Sequence, residues 1–542
     1  MVPEQNDERQ RVVSPTGLTR PSAPPRTPLA QVSAWTGAEI RPGVGDPAND
    51  PANDAADDAA PVEATVTGLS LSSQRVQPGD LYAALPGSRA HGASYAGDAV
   101  CAGAVAVLTD EEGARIIGEA EVPLLVLEKP RSVLGTLAAH LYAEPARSLT
   151  LMAVTGTQGK TTTTRLLEGG LCAVGVSAAV IGTVGTRING QDVKTALTTP
   201  EAPDLHALFA VMVELGVTAC AMEVSSHALV MGRVDGVVFD VAAFLNLGRD
   251  HLDFHKDVED YFTAKASLFT PARTRRGLTN LDDAFGRRLL DEASVAMMTF
   301  SPSGDAQADW RAEDISMEPS GSQFTVVTPQ GARIAASVPV TGSFNVENAL
   351  CAIALAGEAG LDPRQVADGI ARSGGVPGRL EQVDSGQDFL AIVDYAHKPD
   401  ALEAALAALR PLTVGRLVLV IGAGGDRDTG KRPVMGEIAA RLADVLVVTD
   451  DNPRTEDPAS IRAAMLAGAA EVTVPGGTGA EILEIGDRRT AIRRAVEMAR
   501  GGDTVVIAGK GHETGQEMAG TVYPFDDRDE LRAALAERGT PT

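Results

Sequence analysis

Thr155-Gly156-Thr157-Gln158-Gly159-Lys160-Thr161-Thr162 follows the apolar run SLTLMAV and opens a helix-like segment. Glycines in such a turn let backbone N–H groups close on phosphates, and the helix N-terminus adds partial positive charge. Lys160 is placed to reach terminal phosphates, and Thr161 to offer a hydroxyl to magnesium. The longer phosphate-loop pattern has a glycine where this chain has Val154, so the loop is a shortened variant. A chance Gly-Lys-Thr turn is the bland alternative; the strand before it and the helix after it argue against that. A second group of residues ends two other apolar runs. VTACAMEVSSH presents Glu223, Ser225 and His227, and VAAFLN leads into LGRDHLDFH with Asp250, His251, Asp253 and His255. Carboxylate, imidazole and hydroxyl suit a hard cation that also holds nucleotide phosphates, so Glu223 and His251 are candidate magnesium ligands with Thr161. Helix capping by Asp250 and ordinary surface histidines would explain the same residues without a metal.

Those groups need strands to carry them to one edge. From 63 to 147 the sequence reads as a small α/β domain, with strands VTGLSL and DLYAAL, helix SYAGDAVCAG, and strands AVAVLT and VPLLVLE. Strand–loop–helix units continue from 148 to about 375, and a third series starts near Arg379 with strands FLAIVDYAH, RLVLVIGAGG, DVLVVTD and DTVVIAG. Such alternation predicts parallel sheets with ligands at the carboxyl ends of the strands. The predicted architecture is α/β in three domains: a small N-terminal α/β domain at 28–147, a central phosphate-loop domain at 148–375 and a Rossmann-like C-terminal domain at 376–542. Residues 1–27, rich in Pro, Ser and Arg, and residues 42–62, where Asp-Pro-Ala-Asn-Asp is repeated, cannot bury enough apolar area to offset chain entropy. Both are expected to be disordered. The second is expected as an insert within the first domain, because PLAQVSAWTGAEI between them has helical apolar spacing. Removal of residues 1–27 is expected to leave catalysis nearly unchanged.

Three domains fit a chain of 542 residues, more than one core organises. With 44% hydrophobic and 22% charged residues the composition is globular, and no apolar run reaches the length of a membrane span. Lys and Arg total 47 against 72 for Asp and Glu; the net charge of -25 repels a phosphate backbone and disfavours nucleic acid as a partner. Cys101, Cys172, Cys220 and Cys351 lie in apolar surroundings without CxxC spacing, the pattern of a reducing compartment or of a set of small core residues, and no disulfide and no zinc are expected. The N-terminal stretch has arginines but not the apolar core of a secretory signal, which leaves the cytoplasm as the expected location.

The segments GTQGKTTTT, TTPE, MEVSSHAL, NLGRDHLDFH, YFTAKASLF, TGSFNVENAL, VDYAHKPD, GGDRDTGKRP, DNPRTEDP and AGKGHE occur in an order that resembles the Mur ligase family, and in particular its diaminopimelate-adding members. The resemblance covers about residues 63 to 535. It implies amide formation in peptidoglycan precursor synthesis: transfer of the ATP γ-phosphate to a substrate carboxylate, attack of an amine on the acyl phosphate, and release of ADP and phosphate. The implied substrates are UDP-N-acetylmuramoyl-L-alanyl-D-glutamate, 2,6-diaminopimelate and ATP, with Mg2+ as cofactor, and a monomer is expected.

By the same resemblance Lys265 in YFTAKASLF is a carbamate. An ammonium beside magnesium would repel it, whereas a carbamate offers an anionic oxygen. Without the family, Lys265 reads as a helix-surface lysine. Catalytic roles are implied for Lys160, Glu223, His251 and Lys265. ATP is implied to contact Gly156, Thr157, Gln158, Gly159, Lys160, Thr161 and Thr162, with Asn345 and Asn348 near the adenine, Arg379 between domains, and Asp394 and His397 as a further contact. The UDP-muramoyl dipeptide is implied at Leu71, Ser73, Ser88, Arg89, Ala90, Thr198, Thr199, Ser225 and Arg233. Gln74 stands where that motif commonly has arginine, and Met231 where some members have glutamine. Diaminopimelate differs from lysine by a second amino-carboxylate head, and a carboxylate pairs best with a guanidinium. Asp451, Asn452, Pro453 and Arg454 look like the family's diaminopimelate signature, with Arg454 on the distal carboxylate, Arg427 as a second carboxylate contact, and Gly509 and Glu513 at the distal ammonium. The motif does not separate meso from LL stereoisomers. Rival readings are another amide ligase of the superfamily, lysine-adding or folylpolyglutamate-forming, and a phosphate-loop switch protein. Arg454 and GKGHE argue against the first, and the separate amino-acid-binding motifs against the second.

Overall fold

The computed structural model describes residues 19–44, 64–87, 89–195, 197–248, 250–251, 254–472 and 479–539. They fall into two compact units, one built from residues up to 157, 175–298 and 358–360, the other from 158–174, 299–357 and 361–542.

The first unit holds two sheets that concern the site. In the N-terminal sheet the order is Glu39–Arg41, Leu124–Val126, Ala106–Thr109, Asp80–Ala83, Gly68–Ser70, parallel except for the outer Glu39–Arg41. Its central strands are buried at every residue, as a sheet covered on both faces requires. Leu29 and Val32 of helix Leu29–Thr36 and Leu134 and Leu137 of helix Leu134–Leu141 pack on Leu69, Leu81 and Leu125, while Ala96, Ala99 and Ala114 join Tyr82 and Val107 in a separate cluster.

The second sheet of this unit has Thr150–Thr155 between Ala219–Glu223 and Phe239–Phe244, with Ala178–Gly182 and Thr274–Asn280 outside them, all parallel. Leu205, Leu208, Phe209 and Met212 of helix Ala202–Glu214 pack with Leu151, Ile181 and Met222. Because the strands run one way, Thr155, Gly182, Glu223 and Phe244 end on one edge, and the loops after them carry the predicted motifs.

In the second unit, helix Lys160–Ala173 packs on helix Pro363–Arg372, where a Cβ on Gly369 would lie 2.0 Å from the Gly170 carbonyl. Strands Trp310–Glu318, Gly321–Val327 and Arg333–Val338 pair antiparallel. The C-terminal sheet has the order Glu381–Gln382, Leu390–Asp394, Thr504–Ala508, Leu417–Ile421, Val445–Val448, Glu481–Glu484, parallel except for the first.

Several expectations change. Residues 19–27 belong to the stretch expected to be disordered, yet Arg20 pairs with Asp80, Ser22 is held by Glu214, and Thr27–Pro28 pairs with Thr65–Val66. Specific polar contacts there offset the chain entropy that composition alone does not. At the start of the expected insert, Val44 donates its N–H to Ala120 O at 2.6 Å; residues 45–63 and 1–18 lie outside the described residues. The antiparallel pairs add to the parallel sheets that the alternation predicts, since an apolar run does not reveal the direction of its neighbour. Cys101 is exposed, Cys172 half-buried, and Cys220 and Cys351 buried, so only the last two are core residues.

Candidate active site

In the first unit the carboxyl-edge loops are tied to one another. A Cβ on Gly156 would come 3.0 Å from Leu245 Cβ, so glycine lets the phosphate loop lie on the segment after Phe239–Phe244. Thr157 locks that approach by donating its N–H to Asn246 O at 3.0 Å and accepting the Gly248 N–H at 2.9 Å on its hydroxyl. Lys265 lies on helix Val258–Ala266, which Asp257 caps by accepting the Asp260 N–H. Its Nζ donates to Gly156 O at 2.9 Å and lies 4.5 Å from the Tyr261 ring centre. At 1% exposed, Lys265 is no surface lysine; it is buried against the phosphate loop.

Glu223 is equally buried. Thr183 donates its N–H and its hydroxyl to the two carboxylate oxygens at 2.8 and 3.0 Å, and the same hydroxyl lies 3.1 Å from Thr198 Oγ1. Sequence reading passed over Thr183, although the GTVGT turn after a buried strand was a signal for it. Thr199 donates its hydroxyl to Glu223 O at 2.9 Å and accepts the Ser225 N–H at 3.3 Å. Ser225 caps helix Ser226–Val230 by accepting the Ala228 N–H. Arg233 donates to Glu201 at 2.8 Å and to Thr199 O at 3.3 Å, and its Nη2 lies 3.5 Å from Met231 Sδ. Thr198, Thr199, Ser225 and Arg233 therefore form one connected group around Glu223.

His251 sits at φ +53° with its N–H on Asp250 Oδ1 at 2.9 Å and its Nε2 3.3 Å from Asp250 Oδ2, so Asp250 supports His251. His227 meets His251 edge-on and stacks on Phe254. His255 is a buried tie, with Nε2 2.9 Å from Ser226 Oγ and Nδ1 3.3 Å from Asp260. Of the expected uridine contacts, Leu71 and Ser73 are half-buried and Arg89 and Ala90 exposed; Ser88, like Asp253, lies outside the described residues. No cage of three or more His, Cys, Asp or Glu occurs among the described residues. Magnesium does not need one, since it keeps several waters and phosphate oxygens, and each Glu223 oxygen has lone-pair capacity beyond the bond from Thr183. The donor set fits that ion.

In the second unit Lys160, Thr161 and Thr162 open helix Lys160–Ala173 after Gly159 at φ +85°, with no side-chain cap, an N-terminus suited to an anion. Asn345 and Asn348 point inward: Thr163 donates to Asn348 Oδ1 at 3.2 Å, Asn348 Nδ2 to Asn345 Oδ1 at 3.4 Å, and Asn345 Nδ2 to Thr341 O at 2.7 Å. Both amides thus help fix helix Ser343–Glu358 beside the phosphate-loop helix. Arg379 lies 4.3 Å over the Tyr395 ring. Asp394 accepts the Leu380 and Ala396 N–H groups, and burial raises its carboxyl pKa against the opposing pull of Arg379. Desolvation, with Lys398 and Lys431 nearby, pushes His397 down to about 4, so its ring is neutral near pH 7.

The loops after Leu417–Ile421, Val445–Val448 and Thr504–Ala508 converge. Gly425 donates to Asn452 O at 2.9 Å, and a Cβ there would lie 2.0 Å from Pro453 O. Arg454 takes φ +53°; its Nη1 donates to Gly425 O at 2.6 Å and its Nε lies 3.2 Å from Glu517. Arg427 is exposed on the adjoining loop. Asn452 donates to Glu513 at 2.9 Å and accepts Lys510 Nζ at 2.8 Å, which also lies 3.2 Å from Asp451. Burial works to raise the Asp451 carboxyl, but Lys510 and Arg488 outweigh it and hold it low, while burial and Asp451 push Glu513 up. The fully buried Arg488–Asp527 pair anchors Ala508 just before Gly509, Arg488 Nη2 donating to Ala508 O at 2.8 Å. Lys510, inside GKGHE, was missed by sequence reading although its motif was in view.

Known proteins resemble this chain over most of its length. The family described as Mur ligase, catalytic domain matches residues 65–142, the Mur ligase middle domain 154–356, and the Mur ligase glutamate ligase domain 378–511. A protein of Streptomyces avermitilis named UDP-N-acetylmuramoyl-L-alanyl-D-glutamate--2,6-diaminopimelate ligase is 56% identical over 475 residues, 88% of this chain and 93% of its own length. One of the same name from Corynebacterium glutamicum is 49% identical over 485 residues, 88% of this chain and 93% of its own. A solved structure of an enzyme with that name superposes with a TM-score of 0.63 at 34% identity, covering 90% of this chain and 98% of its own. With the motif-bearing loops on the carboxyl edges of their sheets and matches of this extent, the chain belongs to the Mur ligase family.

Proposed function

We infer that the protein is an ATP-dependent amide ligase of peptidoglycan precursor synthesis, joining 2,6-diaminopimelate to the D-Glu γ-carboxylate of UDP-N-acetylmuramoyl-L-alanyl-D-glutamate with release of ADP and phosphate. Identities of 49–56% to ligases of that name support the reaction. The observation that carries the choice of amino acid is Arg454, a guanidinium fixed by Gly425 O and Glu517 in the loop where Gly509, Glu513 and Asn452 also gather.

ATP and a carboxylate repel, so the protein must supply positive charge and hold both in place. Lys160, the helix N-terminus and the Thr161 hydroxyl answer the phosphates, and in the first unit Glu223 and His251 are side chains that would hold Mg2+. When bound, that ion neutralises phosphate charge. Thr183 and Thr199 fix Glu223 from its carboxylate and its carbonyl, so the anion is presented without a conformational search. Arg233, Thr198 and Ser225 would receive the muramoyl dipeptide, orienting its carboxylate for phosphorylation and then for attack by the amine. We place a carbamate on Lys265: its buried Nζ would otherwise bring an ammonium to a cation site, and CO2 addition with loss of two protons, one from the ammonium and one on forming the N–C bond, reverses that sign. The reading is of a cytoplasmic monomer, and among the described residues no helix is long and apolar enough to cross a membrane.

ADP release measured with meso-diaminopimelate, LL-diaminopimelate and L-lysine in parallel tests the reading. Release dependent on the UDP-dipeptide and on one diaminopimelate isomer is expected. Equal turnover with lysine would overturn the choice of amino acid, and release independent of either substrate would overturn the ligase.

A further inference from the structure

We propose that Arg20, in the strap of chain ahead of the first domain, is a positioning residue for the loop 71–77, and through it for the UDP end of the substrate, in place of the expectation that residues 1–27 can be removed with catalysis nearly unchanged. The proposal rests on the reading of Leu71 and Ser73 as uridine contacts.

Strand Gly68–Ser70 leads into that loop and strand Asp80–Ala83 leaves it. Arg20 grips both ends. Its Nη2 donates to Leu69 O at 3.0 Å and lies 3.1 Å from Asp80 Oδ2, and its Nη1 reaches the Tyr142 hydroxyl. Asp80 in turn closes the loop, since the same Oδ2 accepts the Gln77 N–H at 3.0 Å while the Asp80 N–H donates to Gln77 O. The two side chains are only 14% and 4% exposed. Without the guanidinium, Asp80 would be a buried carboxylate facing a peptide carbonyl, a state relieved by taking up a proton or by moving the loop. Burial already pushes the Asp80 carboxyl up, against the pull of Arg20.

The sheet is shaped around this pair. A Cβ on Gly68 would fall 2.2 Å from Asp80 Oδ1 and 2.6 Å from Arg20 Nη1, so residue 68 must lack a side chain if the strap is to dock. Beyond Arg20 the strap is held elsewhere: Ser22 donates its N–H to Glu214 at 2.9 and 3.0 Å, and Ala23 adds another bond at 3.3 Å. Glu214 ends the helix that starts at Ala202, just after Thr198, Thr199 and Glu201, and Arg75 at the end of the uridine loop pairs with Asp204 in its first turn at 3.1 Å. The strap therefore braces, on one body, the segments assigned to the two ends of a single substrate. Among the described residues, the hydrogen bonds and ion pairs of Arg20, Ser22 and Ala23 go to Leu69, Asp80, Tyr142 and Glu214.

The full-length chain tests this, with the three substrates varied in turn in an ADP-release assay. Arg20→Ala should raise KM for the UDP-dipeptide about tenfold with kcat, and KM for ATP and diaminopimelate, changed less than about twofold, because only binding of one substrate loses preorganisation. Gly68→Ala should reproduce that split by evicting the guanidinium, and Arg20→Lys should fall between, restoring the charge but not the contact with Leu69 O. If Arg20→Ala is not recovered folded, Arg20→Lys and Glu214→Gln carry the test with the same split expected. An unchanged KM for the UDP-dipeptide, or equal losses on all three substrates, overturns the proposal. Ser73→Ala separates the two layers: an unaffected KM there removes the uridine assignment, whereas a raised KM there beside an unaffected Arg20→Ala leaves the assignment and removes the strap.

Discussion

Arg454 carries its specificity argument in a left-handed backbone, φ +53°, a conformation that costs a non-glycine residue about 1 kcal/mol or more and is held by bonds to the hairpin strand Gly515–Met518. A lysine substrate would bring no carboxylate to this guanidinium. Truncating one partner of a buried charge pair costs on the order of 2 to 5 kcal/mol. Arg454 is partly exposed and has Glu517 as a standing partner, which places the expected loss near the low end. Arg454→Ala should therefore lower kcat/KM for diaminopimelate about 30-fold, with KM for ATP little changed, and narrow its advantage over lysine. Arg454→Lys should recover little, because a point charge cannot hold Gly425 O and a carboxylate together. Undiminished preference for diaminopimelate in Arg454→Ala would remove this residue from the specificity site. At Lys265 the expectation is loss of turnover in Lys265→Ala with partial return on adding a short carboxylate, and an intact mass of the native chain that includes one CO2; a fully active, unmodified Lys265 contradicts it. Both residues were legible as members of short motifs. Their partners were not: Gly156 is 109 positions from Lys265, and local spacing says nothing about which loop a side chain will reach.

At the scale of elements, the loops assigned to diaminopimelate depend on helix Lys431–Leu442. Arg432 donates to both oxygens of Glu456 at 2.8 and 2.9 Å and to Gly424 O at 3.2 Å, while Thr455 bonds Asp426 across the same gap. One buried guanidinium thus clamps the loop carrying Arg427 to the loop carrying Arg454. Glu456 is 28% exposed, so water can partly replace Arg432 when the pair is broken, and the loss falls mainly on the order of the two loops. Glu456→Gln should raise KM for diaminopimelate on the order of tenfold and lower Tm by a few degrees, leaving KM for ATP within about twofold. Titrating each substrate against the variant checks this, and an equal rise for ATP would show that the clamp serves the whole unit. Both residues stood in quoted motifs, GGDRDTGKRP and DNPRTEDP, yet their pairing could not be read, because it depends on two strand ends meeting at one sheet edge.

For the whole molecule, stability should depend on acid through His206. This histidine is fully buried in helix Ala202–Glu214, with Nε2 3.2 Å from Asp235 O, and burial pushes it down to about 4. A depressed folded value means that the unfolded chain binds the proton more tightly between about pH 6.5 and 4. The stability that His206 contributes is present above pH 6.5 and is lost as pH falls toward 4, by about 3 kcal/mol at most. Tm measured from pH 7.5 to 5 should fall less steeply in His206→Gln than in the native chain, with the His397 contribution common to both; parallel curves would refute it. The sequence by itself determined the strand–loop–helix units, the phosphate loop, and the motifs that mark a Mur ligase, since each is a matter of residue type within a dozen positions. Only the tertiary structure decided that Lys265 is buried, that Thr183 orients Glu223 from 40 positions away, that Trp310–Glu318, Gly321–Val327 and Arg333–Val338 pair antiparallel, and that Arg20 docks on Asp80 across 60 positions. Burial and charge pairing arise when distant segments exclude water from one another, and no local pattern encodes which segments those will be.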